Sequence, residues 1–329
     1  MSAPRVSVLM TACNREAYIG AAIESTLRQT FTDFELLIVD DRSTDGTLEI
    51  VRSYERCDGR VRVVANERNL GQFPNRNFAA TLARGEFVKF HDSDDLMYPH
   101  CLEVMVSMMR AEPRASFGLS RGVAWPGGAC PMLLTPRMAY QREYFGGGLF
   151  MCGPAGAIFR AEAFGRLGGF VDVGVPSDLM FWIRACRTEH ILLLPADLFW
   201  YRVHPSQEMQ SAAGRRQYAR AAGWMWEALD APDCPLTDDE RQQAKRNRAY
   251  HLAKRTMQDA RRGDWQFAIE RLRYSGMSPS DWAKYVRPPR RDQFAGTPFA
   301  ADGDFVTPPW ATSGTSAPSA GASKAVKTS

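Results

Sequence analysis

Three aspartates lie within four residues of one another, directly after an apolar segment of the chain. Asp92, Asp94 and Asp95 follow the segment Phe87–Phe90. Like charges this close are unfavourable unless a cation binds them. Carboxylate oxygens without cysteine or paired histidine select a hard ion, Mg²⁺ or Mn²⁺. The cluster therefore predicts a divalent metal site, and a bound divalent ion favours a phosphate-bearing ligand.

The elements that must position these aspartates alternate between β-type and helical patterns over the first hundred residues. This alternation predicts a mostly parallel sheet flanked by helices, and in such sheets ligands bind at the carboxyl ends of the strands. Polar residues occur at those ends: Thr11 and Asn14 after the first segment, Asp40 and Asp41 after the second. We expect the five carboxylates at positions 40, 41, 92, 94 and 95 to converge on one edge. The β-type segments are Val6–Met10, Phe34–Val39, Val61–Ala65 and Phe87–Phe90.

The chain divides into three parts by pattern. After Pro113 the pattern loosens, and the later strand-like segments, including Leu198–Val203, are expected to complete the same sheet. From Tyr218 to Lys284 the pattern is helical, and beyond Arg290 small and polar residues without periodicity predict disorder. The predicted organisation is an α/β domain over 1–210, with halves 1–112 and 113–210, a helical extension over 211–290 and a disordered tail over 291–329.

Composition excludes several classes of protein. Of the 329 residues, 45% are hydrophobic and 24% charged, as in ordinary globular domains, so fibrous and wholly disordered proteins are excluded. The seven cysteines are scattered and form no C-x-x-C pair, which argues against a disulfide framework or a structural zinc site. The N-terminus has no signal-peptide pattern, and we expect a cytoplasmic protein. A net charge of +4 does not imply nucleic acid, which we do not expect as a partner.

The usual phosphate-binding loops do not follow the first predicted strand. Residues 12–16 read Ala-Cys-Asn-Arg-Glu, which is neither G-x-G-x-x-G nor G-x-x-x-x-G-K-[ST]. A dinucleotide oxidoreductase and a P-loop NTPase are both disfavoured. The remaining mode of phosphate binding is a metal ion that is held by the turn at 92–95 and binds a diphosphate.

Several motifs, in order and spacing, resemble the family 2 glycosyltransferases of GT-A fold over about residues 5 to 205. They are Val6-Ser-Val-Leu-Met-Thr-Ala-Cys-Asn-Arg, the stretch from Gln29 to Thr47 with Val39-Asp-Asp, Asn69-Leu-Gly with Arg76-Asn77, and Asp92-Ser-Asp-Asp. Further along come Gly156-Ala-Ile-Phe-Arg, Gly168-Gly-Phe, Asp178 with Trp182 and Arg184, and Tyr201-Arg-Val-His204. The resemblance implies a Rossmann-like GT-A sheet whose first half, 1–112, binds a nucleotide sugar and whose second half, 113–210, binds the acceptor. One departure is Ser177-Asp178, where the family often has Glu-Asp.

The resemblance also implies a role for individual residues. It makes Asp178 the general base, and Asp94, Asp95 and His204 candidate ligands of Mg²⁺ or Mn²⁺. Thr11 and Asp41 would contact the nucleobase, with uridine or thymidine favoured, and Arg202 would close over the diphosphate. The full set of expected donor contacts is Thr11, Asn14, Asp41, Arg76, Asp92, Asp94 and Arg202.

These assignments imply an inverting, metal-dependent transfer of a sugar from a nucleoside diphosphate, UDP or dTDP favoured, to a hydroxyl of a glycan or lipid-linked acceptor. Synthesis of a bacterial-type surface polysaccharide or glycoconjugate is the expected context. Two alternatives stay open: a non-catalytic sugar-nucleotide-binding adaptor of a polysaccharide assembly complex, and a phosphatase of the haloacid-dehalogenase type, which also places D-x-D after a strand.

Several of these residues also have a purely structural interpretation. Asp41 and Asp178 could be turn or helix-cap residues, and His204 an ordinary surface histidine. The basic cluster in 241–291 is typical of a solvated helix face. Its second interpretation is a peripheral contact with the anionic inner face of a membrane, where a lipid-linked acceptor would be met.

Overall fold

The first half of the chain is the predicted alternation of strands and helices. The computed structural model describes residues 3–121, 130–146, 148–204, 212–286 and 304–305. All four predicted strands are present, three of them extended by one or two residues. The elements are Val6–Ala12 (β1), Ile19–Leu27 (α1), Phe34–Asp40 (β2), Thr47–Cys57 (α2), Val61–Ala65 (β3), Gln72–Thr81 (α3) and Phe87–Asp92 (β4).

Strand β1 lies between β2 and β4, and all three run parallel. The register places Thr11 beside both Val39 and Asp92, and Ala12 beside Asp40. The polar residues that follow the three strands therefore share one edge of the sheet, as predicted.

The second half adds strands of mixed direction. Strand β8 (Ala157–Arg160) runs antiparallel between β4 and β6 (Phe117–Leu119). Strand β6 pairs in parallel with β9 (Ile191–Leu193), which pairs antiparallel with β7 (Met132–Leu134). The sequence analysis assigned no element to Leu96–Met97, Cys101–Ala111, Phe117–Leu119, Met132–Leu134, Pro136–Phe145 or Ala161–Arg166. The elements are Leu96–Met97 (β5), Cys101–Ala111 (α4), Phe117–Leu119 (β6), Met132–Leu134 (β7), Pro136–Phe145 (α5), Ala157–Arg160 (β8), Ala161–Arg166 (α6), Ser177–Ala185 (α7), Ile191–Leu193 (β9) and Phe199–Trp200 (β10).

The strand predicted over Leu198–Val203 is wrong in length and in place. Only Phe199–Trp200 is extended, and it pairs with β5 in a separate two-stranded sheet. The reason is local: beyond Trp200 the backbone is held by the turn after β4, where Arg202 N–H donates to Asp95 Oδ1 at 3.0 Å.

The sheet is buried on both faces, and all seven residues of β2 are buried. An aromatic cluster packs between the sheet and α7, where Trp182 is fully buried and its ring stacks on Phe159 at 5.8 Å between centroids. The Trp182 indole N–H also donates to Cys152 O at 2.7 Å. These contacts fix α7, and with it the residues of its first turn. The cluster comprises Phe90, Phe117, Phe159, Phe164, Phe170, Phe181 and Trp182.

Four helices lie between residues 212 and 285, within the segment predicted to be a helical extension. They pack on the second half through Tyr144, whose hydroxyl donates to Met225 O at 2.7 Å, and through the ion pair of Arg137 with Glu240 at 2.9 Å. No helix of the described residues is long and apolar enough to span a bilayer. The helices are Ala212–Asp230 (α8), Asp238–Arg261 (α9), Trp265–Arg273 (α10) and Pro279–Tyr285 (α11).

Within the segment predicted to be disordered, Asp304–Phe305 (β11) pairs antiparallel with Met132 and Leu133. The other residues of 291–329 lie outside the described residues. Over the described chain, nine strands form one sheet in the order β11-β7-β9-β6-β8-β4-β1-β2-β3. The three-part division of the chain stays a prediction.

Candidate functional site

The carboxylates after β4 lie on a tight turn, in which Asp95 N–H donates to Asp92 O at 3.1 Å. Asp92 forms an ion pair with Arg76 on α3. Arg76 is only 5% exposed, and its guanidinium lies over the Phe73 ring, 5.2 Å from the centroid. The guanidinium of Arg76, on α3, thus lies at the end of β4.

Two side chains from different loops contact the carboxylate of Asp94. Its Oδ2 lies 3.0 Å from His204 Nε2 and 3.4 Å from Arg15 Nε. The His204 ring stacks on Tyr18, with 4.7 Å between centroids. His204 is 6% exposed and lies beside the motif aspartate, which excludes its interpretation as an ordinary surface histidine.

Arg202 lies over the same turn. Its backbone N–H donates to Asp95 Oδ1 at 3.0 Å, and its Nε donates to Asp94 O at 2.8 Å. Its guanidinium lies between two aromatic rings, 5.3 Å from the Tyr18 centroid and 5.1 Å from that of Trp200. The segment 200–204 thus closes one side of the candidate site.

Asp95 is almost fully buried, and its Oδ2 has no hydrogen-bond partner among the described residues. Burial raises the pKa of this carboxyl well above its usual range, and the charge of Asp92 adds to the effect. An unpartnered buried oxygen of this kind is an open position for a cation or a polar ligand.

Asp178 lies in the first turn of α7 and is 9% exposed. Its Oδ1 accepts the Leu179 N–H at 2.7 Å. Burial raises the pKa of Asp178 to about 7, opposed by that N–H and by the positive charge of Arg76, while the charge of Asp92 adds to the rise. The residue after it supplies the bonded N–H, so Asp178 does not cap the helix in the ordinary way. A carboxyl with this pKa is suited to taking up a proton near neutral pH.

The segment before Asp178 is held by the helical extension. Gln217 on α8 accepts the Val175 N–H at 2.6 Å. Gly174 has φ +86°, and a Cβ added there would lie 2.3 Å from Gln217 Oε1. Ser177 completes the turn by donating to Gly174 O at 2.6 Å. The extension therefore shapes the loop that carries the candidate base.

Asp41 organises the loop between β3 and α3. Its Oδ1 accepts from Asn66 Nδ2 and from Leu70 N–H, each at 2.8 Å, and its Oδ2 accepts the Gly71 N–H at 2.9 Å. Asn69 donates back to Asp41 O at 3.0 Å. Gly71 has φ +88°, a conformation that glycine adopts without strain. The Asn69-Leu-Gly motif is thus the partner of Asp41.

Thr11 and Asn14 lie at the same edge. Thr11 is half-buried at the end of β1. Asn14, at φ 54°, accepts the Thr44 N–H on its Oδ1 at 2.8 Å, and its own N–H donates to Ser43 Oγ at 2.9 Å. Asn14 therefore ties the loop after β1 to the loop after β2.

Side-chain contacts join one group of the predicted residues around the turn at 92–95: Arg76 with Asp92, His204 with Asp94, and Arg202 with Asp94 and Asp95. Asp41 is joined instead to Asn66 and to the Asn69-Leu-Gly motif. The hydrogen bonds of Asn14 and Asp178 are to other residues, Thr44 and Leu179 among them. Within the described residues, no group of three or more His, Cys, Asp or Glu side chains is arranged to hold a metal ion.

The sequence analysis missed three residues that contact this site: Arg15, Tyr18 and Gln217. Arg15 and Tyr18 follow β1 in the loop that leads into α1, so their position after the first strand was an available signal. Gln217 gave no signal, because its contact with Val175 joins segments 42 residues apart.

Residues 7–168 match the family model described as glycosyl transferase family 2. A putative teichuronic acid biosynthesis glycosyltransferase, TuaG, of Bacillus subtilis (strain 168) is 42% identical over 106 residues, 32% of this chain and 42% of that protein. The UDP-Glc:alpha-D-GlcNAc-diphosphoundecaprenol beta-1,3-glucosyltransferase WfgD of Escherichia coli is 40% identical over 104 residues, 32% of this chain and 40% of that protein. The match thus spans about two fifths of the length of these relatives.

Solved structures share the fold at low sequence identity. S. aureus TarS 1–349 in complex with UDP-GlcNAc has a TM-score of 0.62 and 21% identity, covering 86% of this chain and 82% of that one. Mannosyltransferase PcManGT from Pyrobaculum calidifontis, in complex with GDP-Man and Mn²⁺, has a TM-score of 0.57 and 18% identity, covering 84% and 88%. These likenesses confirm the predicted α/β fold of GT-A type.

Proposed function

Because residues 7–168 belong to glycosyl transferase family 2, we propose that the protein is an inverting glycosyltransferase. It transfers a sugar from a nucleoside-diphosphate donor to a hydroxyl of a glycan or lipid-linked acceptor. The observation that carries this proposal is the turn at 92–95, where Arg76 pairs with Asp92 and Arg202 donates to Asp94 and Asp95. The buried Asp178, whose raised pKa suits a base, is the candidate acceptor of the proton.

The donor nucleoside would lie against the ends of β1 and β2. Asp41 Oδ2 accepts one N–H in the structure, so it retains capacity for a second donor such as the N3–H of uracil or thymine. This supports UDP or dTDP as the donor nucleotide, with Thr11 beside it. Asn14 would act by holding the two loops of the pocket together.

The side-chain atoms that could ligate a metal here suit a Mg²⁺ or Mn²⁺ ion that is bound largely by the substrate. Asp94 Oδ2 and His204 Nε2 are 3.0 Å apart, and Asp95 Oδ2 is buried without a partner. Mg²⁺ commonly uses one or two protein ligands together with phosphates and water. Since the described residues contain no ready three-ligand cluster, one or two of Asp94, Asp95 and His204 would hold the ion together with the phosphates, and the ion when bound would neutralise charge on the leaving diphosphate.

The transfer itself is a single displacement. The acceptor oxygen bonds to the anomeric carbon as the bond from that carbon to the diphosphate oxygen breaks, which inverts the centre. Asp178 accepts the proton of the acceptor hydroxyl, and Arg202, held over Asp94 and Asp95, attracts the departing diphosphate. The diphosphate leaves unprotonated, so no general acid is required.

The biological context we propose is synthesis of a surface polysaccharide or glycoconjugate. Teichuronic acid biosynthesis and a diphosphoundecaprenol-linked acceptor appear in the names of two relatives. The adaptor alternative differs by having no turnover. The phosphatase alternative needs its aspartate motif after the first strand, whereas the turn at 92–95 follows β4.

A thermal-shift screen of UDP, dTDP, GDP and CMP with Mn²⁺ or EDTA, paired with donor hydrolysis, tests the proposal. A ligand at 100 times its Kd adds about 2.7 kcal/mol to the free energy of unfolding. We expect stabilisation by UDP or dTDP in Mn²⁺ and slow hydrolysis of the matching sugar nucleotide. Stabilisation without hydrolysis or transfer would favour the adaptor, and no stabilisation by any nucleotide would overturn the proposal.

A further inference from the structure

Helix α10 exposes an apolar stripe on its outer face. Trp265, Ile269 and Leu272 follow the spacing i, i+4, i+7, which places them on one side of a helix. They are 64%, 62% and 42% exposed. Exposed large apolar side chains occur singly on most proteins, but a contiguous set of three on one helix face marks an interaction surface.

The inner face of α10 is anchored, so the stripe is not a packing face left unused. Ala268 is buried, and Arg271 pairs with Asp259 on α9 at 2.9 Å. Glu270 lies 3.6 Å from Arg216 on α8. The helix is thus fixed on the extension with its apolar stripe turned outward.

The surroundings of the stripe are basic. Residues 251–273 contain six Lys or Arg and three Asp or Glu, a net formal charge of +3 against +4 for the whole chain. The acids are engaged: Asp259 and Glu270 have the arginine partners above, and Asp264 accepts the Phe267 N–H at the start of α10. Over the described residues, no ion pair engages the exposed basic residues Lys254, Arg255, Arg261, Arg262 and Arg273.

We propose that the α10 stripe, Trp265, Ile269 and Leu272, docks into the surface of an anionic phospholipid bilayer, with the flanking basic residues on the lipid headgroups. An apolar helix face bordered by Lys and Arg and carrying Trp is the pattern of interfacial binding. Nucleic acid would attract the charges but give Ile269 and Leu272 nothing apolar to bury in. The proposal is independent of the transfer reaction, because docking needs neither donor nor acceptor.

Co-sedimentation of the full chain with vesicles tests the proposal. We expect binding to phosphatidylcholine vesicles containing about 30% phosphatidylglycerol, weakening as NaCl rises from about 0.1 to about 0.5 M, and little binding to pure phosphatidylcholine. Ile269→Ser/Leu272→Ser and Arg261→Glu/Arg262→Glu should each lower the partition coefficient about tenfold or more. Met151→Ser and Arg110→Glu, at exposed positions outside the extension, are the matched controls and should bind like wild type.

Insertion is distinguished from charge attraction by quenching with brominated lipid. The chain has eight tryptophans, so the signal of Trp265 is the difference between wild type and Trp265→Phe. We expect quenching that this substitution removes. Equal binding to neutral and anionic vesicles, or anionic binding without quenching of Trp265, would overturn the proposal. Binding lost equally in the control variants would overturn it too.

Discussion

His204 Nε2 lies 3.0 Å from Asp94 Oδ2, across 110 residues of sequence. This is the distance of a direct hydrogen bond between the two side chains, and the stacking of His204 on Tyr18 holds the ring in that position.

The first prediction concerns this pair. Asp94→Asn and His204→Ala should each weaken UDP binding in Mn²⁺ by about tenfold or more, because the diphosphate charge would lose its neutralising ion. Binding of UDP in EDTA should be weak and unchanged by either substitution. Titration calorimetry checks this, with Asp172→Asn, an exposed carboxylate outside the motif, as the control. Equal UDP affinity of the wild type in EDTA and in Mn²⁺ would falsify metal dependence.

The second prediction concerns Tyr18, whose ring supports both His204 and Arg202. Tyr18→Phe keeps the ring and should bind UDP with nearly wild-type affinity. Tyr18→Ala removes the support of both side chains and should raise the Kd for UDP in Mn²⁺ by about five- to thirtyfold, equivalent to about 1–2 kcal/mol. Comparing the two Kd values decides it: the same affinity for the Ala and Phe variants would show that segment 200–204 holds its place without the ring.

Much of the fold was predictable because its signals are local. The four predicted strands of the first half are largely apolar runs of four to six residues, three of them lead into a helix, and each appears where predicted. Strands β6 and β7 are three residues long. A three-residue apolar run carries too little periodicity to distinguish strand from loop, so these elements depend on pairing with β8 and β9, which only the folded chain provides.

The third prediction separates chemistry from binding at Asp178. Asp178→Asn removes the basicity while keeping the shape and the oxygen that accepts the Leu179 N–H. Turnover should fall by about 10²–10⁴, while the Kd for UDP stays unchanged, since the proposed donor contacts are elsewhere. Single-turnover transfer alongside UDP titration checks this, and Asp239→Asn, at an exposed position on α9, is the matched control. A variant that transfers at the wild-type rate would remove Asp178 from the role of base.

The fourth prediction follows from the raised pKa of Asp178, about 7. A base must be ionised, so kcat should rise through about pH 7 to a plateau. The unfolded carboxyl titrates near 3.9, so between that pH and 7 the folded state holds a proton that the unfolded state has lost. This group's contribution to the free energy of unfolding therefore falls as pH rises across that window.

Asp178→Asn should accordingly be more stable than wild type at pH 8, by up to about 4 kcal/mol, and gain little at pH 4. Urea unfolding at the two pH values checks this. If Asp178→Asn shows the same stability difference from wild type at both pH values, Asp178 has an ordinary pKa in the folded protein.

The candidate site was predictable for residues that follow strands, because the carboxyl edge of a parallel sheet collects them. Thr11, Asp41 and the turn at 92–95 are of this kind. The packing that sets the pKa values and positions of the site's side chains was not predictable. The pKa of Asp178 depends mainly on burial, and Arg202 and His204 both contact one ring in another loop, that of Tyr18. Such effects arise from packing between segments far apart in the chain.

The last prediction concerns Gln217, which joins the helical extension to the loop carrying Asp178. Gln217→Ala leaves the Val175 N–H without its 2.6 Å acceptor and opens the space beside Gly174. Asp178 would then be held less well against the acceptor hydroxyl, and misplacement of a reacting group lowers kcat by as much as about a hundredfold. We expect kcat to fall about tenfold or more with the Kd for UDP unchanged.

A second variant distinguishes positioning of the base from general destabilisation. Gln217→Glu retains an oxygen that accepts the Val175 N–H, so kcat at its plateau should recover. Its added negative charge should move the pH–rate profile of Asp178 upward. Gln266→Ala, which removes the acceptor of an exposed hydrogen bond from Arg216 on the same extension, is the matched control and should leave both kcat and the profile unchanged. If Gln217→Ala keeps wild-type kcat, or if Gln217→Glu fails to move the profile, the extension acts on stability alone and Asp178 is positioned entirely by the aromatic packing beneath α7.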